Sequence, residues 1–112
     1  NKNIDAIIVD AGWTALSRDI GNTSHKLDYG YGQVCDINGQ IIEDLIVANV
    51  QQEHGIIKLR KGSKAKLPQI KQGDLLRVLP NHACATASAH NKYHVIKKEN
   101  KVYDTWDRFN NW

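Results

Sequence analysis

The sequence contains no methionine, only two cysteines, and no apolar run long enough to cross a membrane. Each absence narrows the reading. Cys35 and Cys84 could form at most one bridge, so the chain is not a disulfide scaffold and reads as a reduced, cytoplasmic protein. The longest uncharged stretch, Val78 to Asn91, is polar and shorter than the roughly 20 apolar residues that a membrane helix requires. A soluble chain without a membrane partner is expected. No segment sustains apolar residues at i, i+3, i+4 and i+7 over three turns, which leaves little room for helix. Strong charge is missing too: 15 basic against 12 acidic residues give a net charge of +3, too mild to imply a polyanion partner. With no initiating methionine and a strand-like run from Ile4, the chain reads as a domain excised from a larger protein.

What is present is ordinary globular composition over 112 residues, enough for a single domain across residues 1–112 that buries roughly two thirds of its unfolded surface. The strand signals are numerous. Ile4 to Val9 ends at Asp10-Ala11-Gly12, and Trp13 to Ser17 is expected to resume pairing. Arg18 to Tyr31 has loop composition, with His25 as a solvated side chain. Gln33 to Ile37 and Gln40 to Asp44 flank Asn38-Gly39, a dipeptide suited to a type I′ hairpin turn; Cys35 on the first strand reads as a small buried hydrophobe. Leu45 to Val50, Ile56 to Arg60 and Leu75 to Leu79 add strands, and Pro80 should end the last. Tyr93 to Lys98 and Lys101 to Trp106 predict a second hairpin turning at Glu99-Asn100, with Val95, Val102, Tyr103 and Trp106 as packing surface. The fold expected is all-β, an antiparallel sandwich or small barrel.

Between Lys58 and Lys71 stand six basic residues and no acidic one. A nucleic-acid module would interleave aromatics for stacking, and this stretch has none, so it reads as a solvated loop. The rival reading, a small barrel gripping RNA or DNA through this lobe, would need Trp13, Tyr29 and Tyr31 as stacking surfaces.

The chemistry concentrates in Val78-Leu79-Pro80-Asn81-His82-Ala83-Cys84-Ala85-Thr86. If strand geometry persists past Pro80, His82 and Cys84 project to one face and could share an ion. Two ligands do not complete a coordination sphere, so water, substrate or another residue must add to them. Taken alone, such a pair is more often a buried thiol beside a hydrogen-bonded histidine. By the same standard Glu53 and His54 are more often a turn cap and a structural histidine, and His90 and His94 are alternative ligands with ordinary structural explanations.

Glu53-His54-Gly55, then Gly73-Asp74, an apolar strand and Pro80-Asn81-His82-Ala83-Cys84-Ala85-Thr86, resemble the C-terminal domain of D-serine dehydratase-like and D-threonine aldolase-like enzymes. Val9-Asp10-Ala11-Gly12, with Ala15-Leu16-Ser17 and Asp19, resembles the start of that domain, so the likeness runs from about Ala6 to Trp106. The resemblance implies a β-barrel-like domain similar to that of alanine racemases, preceded by a pyridoxal-phosphate barrel absent from this chain. It implies a homodimeric parent enzyme acting on a β-hydroxy D-amino acid, with His82 and Cys84 binding a divalent metal and the fragment alone inactive. In the family it resembles, the aldolase branch tends to carry aspartate at the second position, matching a harder metal such as manganese, and the dehydratase branch cysteine, matching zinc. The resemblance therefore implies that Cys84 favours dehydration over retro-aldol cleavage. A racemase domain is the remaining alternative. Asp10, Glu53 and His54 are candidates for orienting the metal ligands.

Overall fold

A computed structural model describes residues 5–21, 23, 24, 26–97 and 100–109. Five strands form one sheet: β1 (Ile7–Val9), β2 (Gly32–Cys35), β3 (Ile41–Val50), β4 (Gly55–Leu59) and β5 (Arg77–Pro80), in the order β1-β4-β3-β2-β5. Every pairing is antiparallel. A separate hairpin joins β6 (Lys92–Ile96) to β7 (Val102–Asp107), and two short helices, α1 (Trp13–Leu16) and α2 (Ala83–Ser88), complete the fold. The all-β antiparallel expectation holds, but among the described residues the sheet does not close into a barrel: β1 and β5 are its two edges.

The core lies where β2, β3 and β4 meet. Leu45, Ile46 and Val47 are consecutive and all buried, so the middle of β3 is covered on both faces. Val34, Cys35, Val50 and Ile57 join them, and Trp13, Leu16, Tyr31, Leu67, Leu76 and Val78 pack around the margin. Leu67 and Leu76 thus tether the lysine-rich loop, which is not simply solvated.

Two strands expected on either side of Asp44 are one ten-residue strand. Asp44 adopts φ 59°, bending β3 without ending it. Its carboxylate receives Arg60 Nη1 at 2.5 Å and Ser63 Oγ at 2.7 Å, and Gln33 Nε2 donates to the carbonyls of Leu45 (2.8 Å) and Ile42 (3.2 Å), so the interrupted ladder keeps its hydrogen bonds. The hairpin at Asn38-Gly39 is present, but only Gly39 has positive φ (82°); a type I′ turn needs both residues there. Instead Gly39 N–H donates to Asp36 O, and Asp36 Oδ1 accepts from Asn38 N–H and Gln40 N–H, which builds a longer loop on an aspartate.

Trp13 to Leu16 is helical rather than extended, because Trp13 N–H and Thr14 N–H donate to the carbonyls of Gln51 (2.8 Å) and Gln52 (3.2 Å). The β6–β7 hairpin exists as expected, yet Val102, Tyr103 and Trp106 are about three-fifths exposed and pack little within this chain. Ile4, His25, Glu99 and the end of the tail lie outside the described residues.

Candidate metal centre

Antiparallel register brings the chemistry to one end of the sheet. Val9 and Val50 both lie opposite Gly55, Gln33 lies opposite Ile46, and Gly32 lies opposite Pro80. The connections after β1, β3 and β5 therefore leave from the same rim. Asp10, Glu53, His54, His82 and Cys84 all sit on those connections.

Beyond Pro80 the chain does not stay extended. His82 is the residue before α2, with φ −119° and ψ 85°, and Cys84 lies in the first helical turn. The alternation argument for a shared face therefore does not apply, since Cys84 is helical and His82 is the non-helical residue before the helix. What positions the pair is the docking of α2: Thr86 Oγ1 donates to Leu16 O at 2.7 Å, and His90 Nε2 donates to Ala15 O at 2.9 Å. His90 is thereby engaged on the helix interface, and His94 Nδ1 lies 3.5 Å from Thr105 Oγ1 on the hairpin.

The strongest interaction at His82 comes from a residue outside the predicted set. Asp19 Oδ2 lies 2.9 Å from His82 Nδ1. The distance is that of an ion pair, but the approach is out of line for a hydrogen bond, and Nδ1 is buried without another partner among the described residues. Gly21 N–H holds the other carboxylate oxygen at 2.8 Å, and this bond leads in keeping the Asp19 carboxyl below its ordinary pKa; partial burial opposes it and the His82 charge adds to it. Gly21 has φ +74°, and a Cβ there would stand 2.9 Å from His82 Cβ, so the loop closes directly over the imidazole. The Asn81 side-chain amide donates to Ile20 O and fixes the loop from the other side. The sequence signal for Asp19 was its place after Ala15-Leu16-Ser17; nothing local marked it as facing His82.

Asp10, Glu53 and His54 are exposed at the same end of the sheet. Their two loops interlock: a Cβ on Gly12 would meet Gln51 O at 2.2 Å, and one on Gly55 would meet Ala11 O at 2.6 Å. Close backbone approach explains both glycines, and it brings Asp10-Ala11-Gly12 against Glu53-His54-Gly55. Asp10 nonetheless follows the edge strand opposite β5, with β4, β3 and β2 between them.

The residues fit a metal. A histidine ligand gives one ring nitrogen to the ion and has the other held by an outer group, commonly a carboxylate. Here Nδ1 is walled in by Asp19 while the His82 side chain as a whole is 37% exposed, which leaves Nε2 as the nitrogen that can reach an ion. Cys84 is a free, exposed thiol two residues on. Among the described residues no group of three His, Cys, Asp or Glu side chains converges, so an ion held by His82 and Cys84 would take its remaining positions from other donors. The stacking surfaces of the nucleic-acid reading are engaged within the chain: the Arg18 guanidinium lies over Trp13, the Arg60 guanidinium over Tyr29, and Tyr31 packs on the core. No helix among the described residues is long and apolar enough to cross a membrane.

A family model described as "Putative serine dehydratase domain" matches residues 1–96. The D-threo-3-hydroxyaspartate dehydratase of a Delftia species is 41% identical over 107 residues, 94% of this chain and 28% of the relative. The D-serine dehydratase of Schizosaccharomyces pombe is 35% identical over 106 residues, 95% of this chain and 23% of the relative. The solved Delftia structure superimposes with TM-score 0.80 at 40% identity, covering 96% of this chain and 29% of that one. An alanine racemase-like protein from Idiomarina loihiensis gives 0.79 at 42%, covering 100% and 29%. The chain thus spans less than a third of each protein. The Delftia enzyme is also solved with one histidine replaced by alanine, and, in the metal-free form, with one cysteine replaced by alanine. Those two positions are two residues apart, as are His82 and Cys84.

Proposed function

The chain belongs to that serine dehydratase domain family, and from this premise we propose that it is the metal-holding portion of a pyridoxal-phosphate lyase that removes water from a β-hydroxy D-amino acid. The carrying observation is the His82 imidazole, its Nδ1 buried against Asp19 while the side chain as a whole stays partly exposed, two residues from the free thiol of Cys84. His82 and Cys84 would hold the ion, zinc being the best match to nitrogen and sulfur donors and manganese a weaker one. When bound, such an ion supplies Lewis-acid assistance to departure of the β-hydroxyl, while pyridoxal phosphate, bound mainly by a barrel outside this chain, supplies the electron sink.

The chain's own work is positioning. His82 presents Nε2 from the rim of the sheet, and α2 carries Cys84 at a spot set by the bonds of Thr86 and His90 to α1. Ala83 and Ala87 are small and line an open cavity beside α2 with Pro80, Thr86 and His90. Glu53 and His54, on the β3–β4 connection of the same rim, are the groups we assign to orient donors or substrate, with Asp10, separated from β5 by three strands, the weakest member of that set. The dehydratase reading is preferred to aldolase or racemase because the curated relatives named above are dehydratases. A homodimer sharing the site between subunits completes the proposal.

The test uses the full-length parent protein with D-serine, D-threo-3-hydroxyaspartate and D-threonine. Ammonia and a keto acid are expected as products, with activity lost on chelation and restored by zinc. His82→Ala and Cys84→Ala should each remove both bound metal and activity. Glycine and aldehyde as dominant products, or turnover indifferent to chelation and to Cys84→Ala, would overturn the assignment.

A further inference from the structure

We propose that Asp19 is the positioning residue of the metal centre: its carboxylate fixes the proton of His82 on Nδ1 and so keeps the Nε2 lone pair available to an ion. The inference rests on the metal-holding role proposed above and adds a residue and a mechanism to it. The loop before it is shaped for one placement of this carboxylate. Ser17 takes φ 74°, and its Oγ accepts the Asp19 N–H at 3.1 Å. Gly21 N–H then occupies Oδ1 at 2.8 Å, so Oδ2 is the oxygen left for His82, and it stands 2.9 Å from Nδ1. Gly21 lacks the Cβ that would push His82 away, and Asn81 ties Ile20 to the segment carrying the histidine.

Stability alone is a poor explanation for this arrangement. The Asp19 side chain is 54% exposed, and exposed pairs contribute little to folding. Its distinctive effect is on the ring. The carboxylate stands 2.9 Å from Nδ1 and, although out of line for a hydrogen bond, its charge favours a proton on the nitrogen nearest it, which selects the tautomer with a bare Nε2. Asp19 touches neither substrate nor ion and acts through His82.

The opposed chemistry of the amide makes the test sharp. In Asp19→Asn the amide oxygen must stay on Gly21 N–H, which turns the NH2 group toward Nδ1 and favours the tautomer with its proton on Nε2. Asp19→Ala removes the bias without reversing it, and Asp19→Glu retains a carboxylate. Zinc affinity of the full-length holoenzyme would be measured by competition with a chromophoric chelator, alongside melting temperature and the ligand-field absorption of the cobalt(II)-substituted protein. Expected is a roughly 10–100-fold weakening in Asp19→Asn, a smaller loss in Asp19→Ala and partial recovery in Asp19→Glu, with the melting temperature nearly unchanged and the cobalt bands altered in Asp19→Asn. A merely structural role predicts the reverse order, alanine worse than asparagine. That order, or wild-type affinity in Asp19→Asn, overturns the proposal while leaving the metal centre intact if His82→Ala still abolishes binding. A wild-type protein that holds no zinc overturns both.

Discussion

The interior of the sheet and the loops on its rim solve opposite problems, and the two cysteines report the difference. Cys35 sits on β2 with no exposed surface, while Cys84 stands exposed on α2. Burial leads in pushing the Cys35 thiol above its ordinary pKa; the Asp36 carboxylate adds to the shift and Arg77 opposes it. Such a thiol is an apolar filler. Cys84 has the exposure that a thiolate ligand needs. The same side chain is structural or functional according to whether it lies between strands or beyond their ends.

The comparison breaks most visibly in the core. Leu45→Ala or Ile57→Ala should cost about 2–5 kcal/mol by chemical denaturation, since both side chains are fully buried; a loss well under this range would mean the interior is looser than described. Next comes Gly21→Ala, on the rim, where a left-handed φ and the 2.9 Å approach to His82 should together cost about 1–2 kcal/mol and weaken zinc binding as well. A thiol reagent should modify Cys84 in the native protein and Cys35 only as it unfolds, read by mass spectrometry; equal rates would erase the distinction. The smallest effects are those of pH. With its pKa raised on folding, Cys35 contributes stability fully present below the ordinary thiol range and lost as pH rises through it toward the folded value. Asp19, lowered on folding, contributes stability present above the ordinary carboxylate range and lost as pH falls below it. Denaturation midpoints at alkaline and acid pH check both signs, with Cys35→Ala and Asp19→Asn flattening the respective limbs.

The interior was the legible part. The apolar run that opens Leu45 to Val50 marks a strand, and the turn chemistry at Asn38-Gly39 located a hairpin even though its type differed. The rim was harder to read. Six residues of α2 are too few for helical periodicity, so the sequence offered only a continuing strand past Pro80, and the helix instead docks where α1 offers carbonyls to Thr86 and His90. Those partners are 70 and 75 positions away. The same distance in sequence hid Asp19, 63 residues before the histidine it faces. Open edges of the sheet were equally invisible, because alternation specifies which face a side chain occupies and says nothing about whether the last strand meets the first.

Four-residue α1 acts as a tie rod. Its leading N–H groups are fastened to the carbonyls of Gln51 and Gln52, and its trailing carbonyls to Thr86 and His90. α2 therefore takes its position from the β3–β4 connection as much as from the strand it follows. An insertion or deletion between Gln51 and His54 would pull on that rod and shift Cys84 against His82, so the spacing of the donor pair is mechanically coupled to a loop that contributes neither donor.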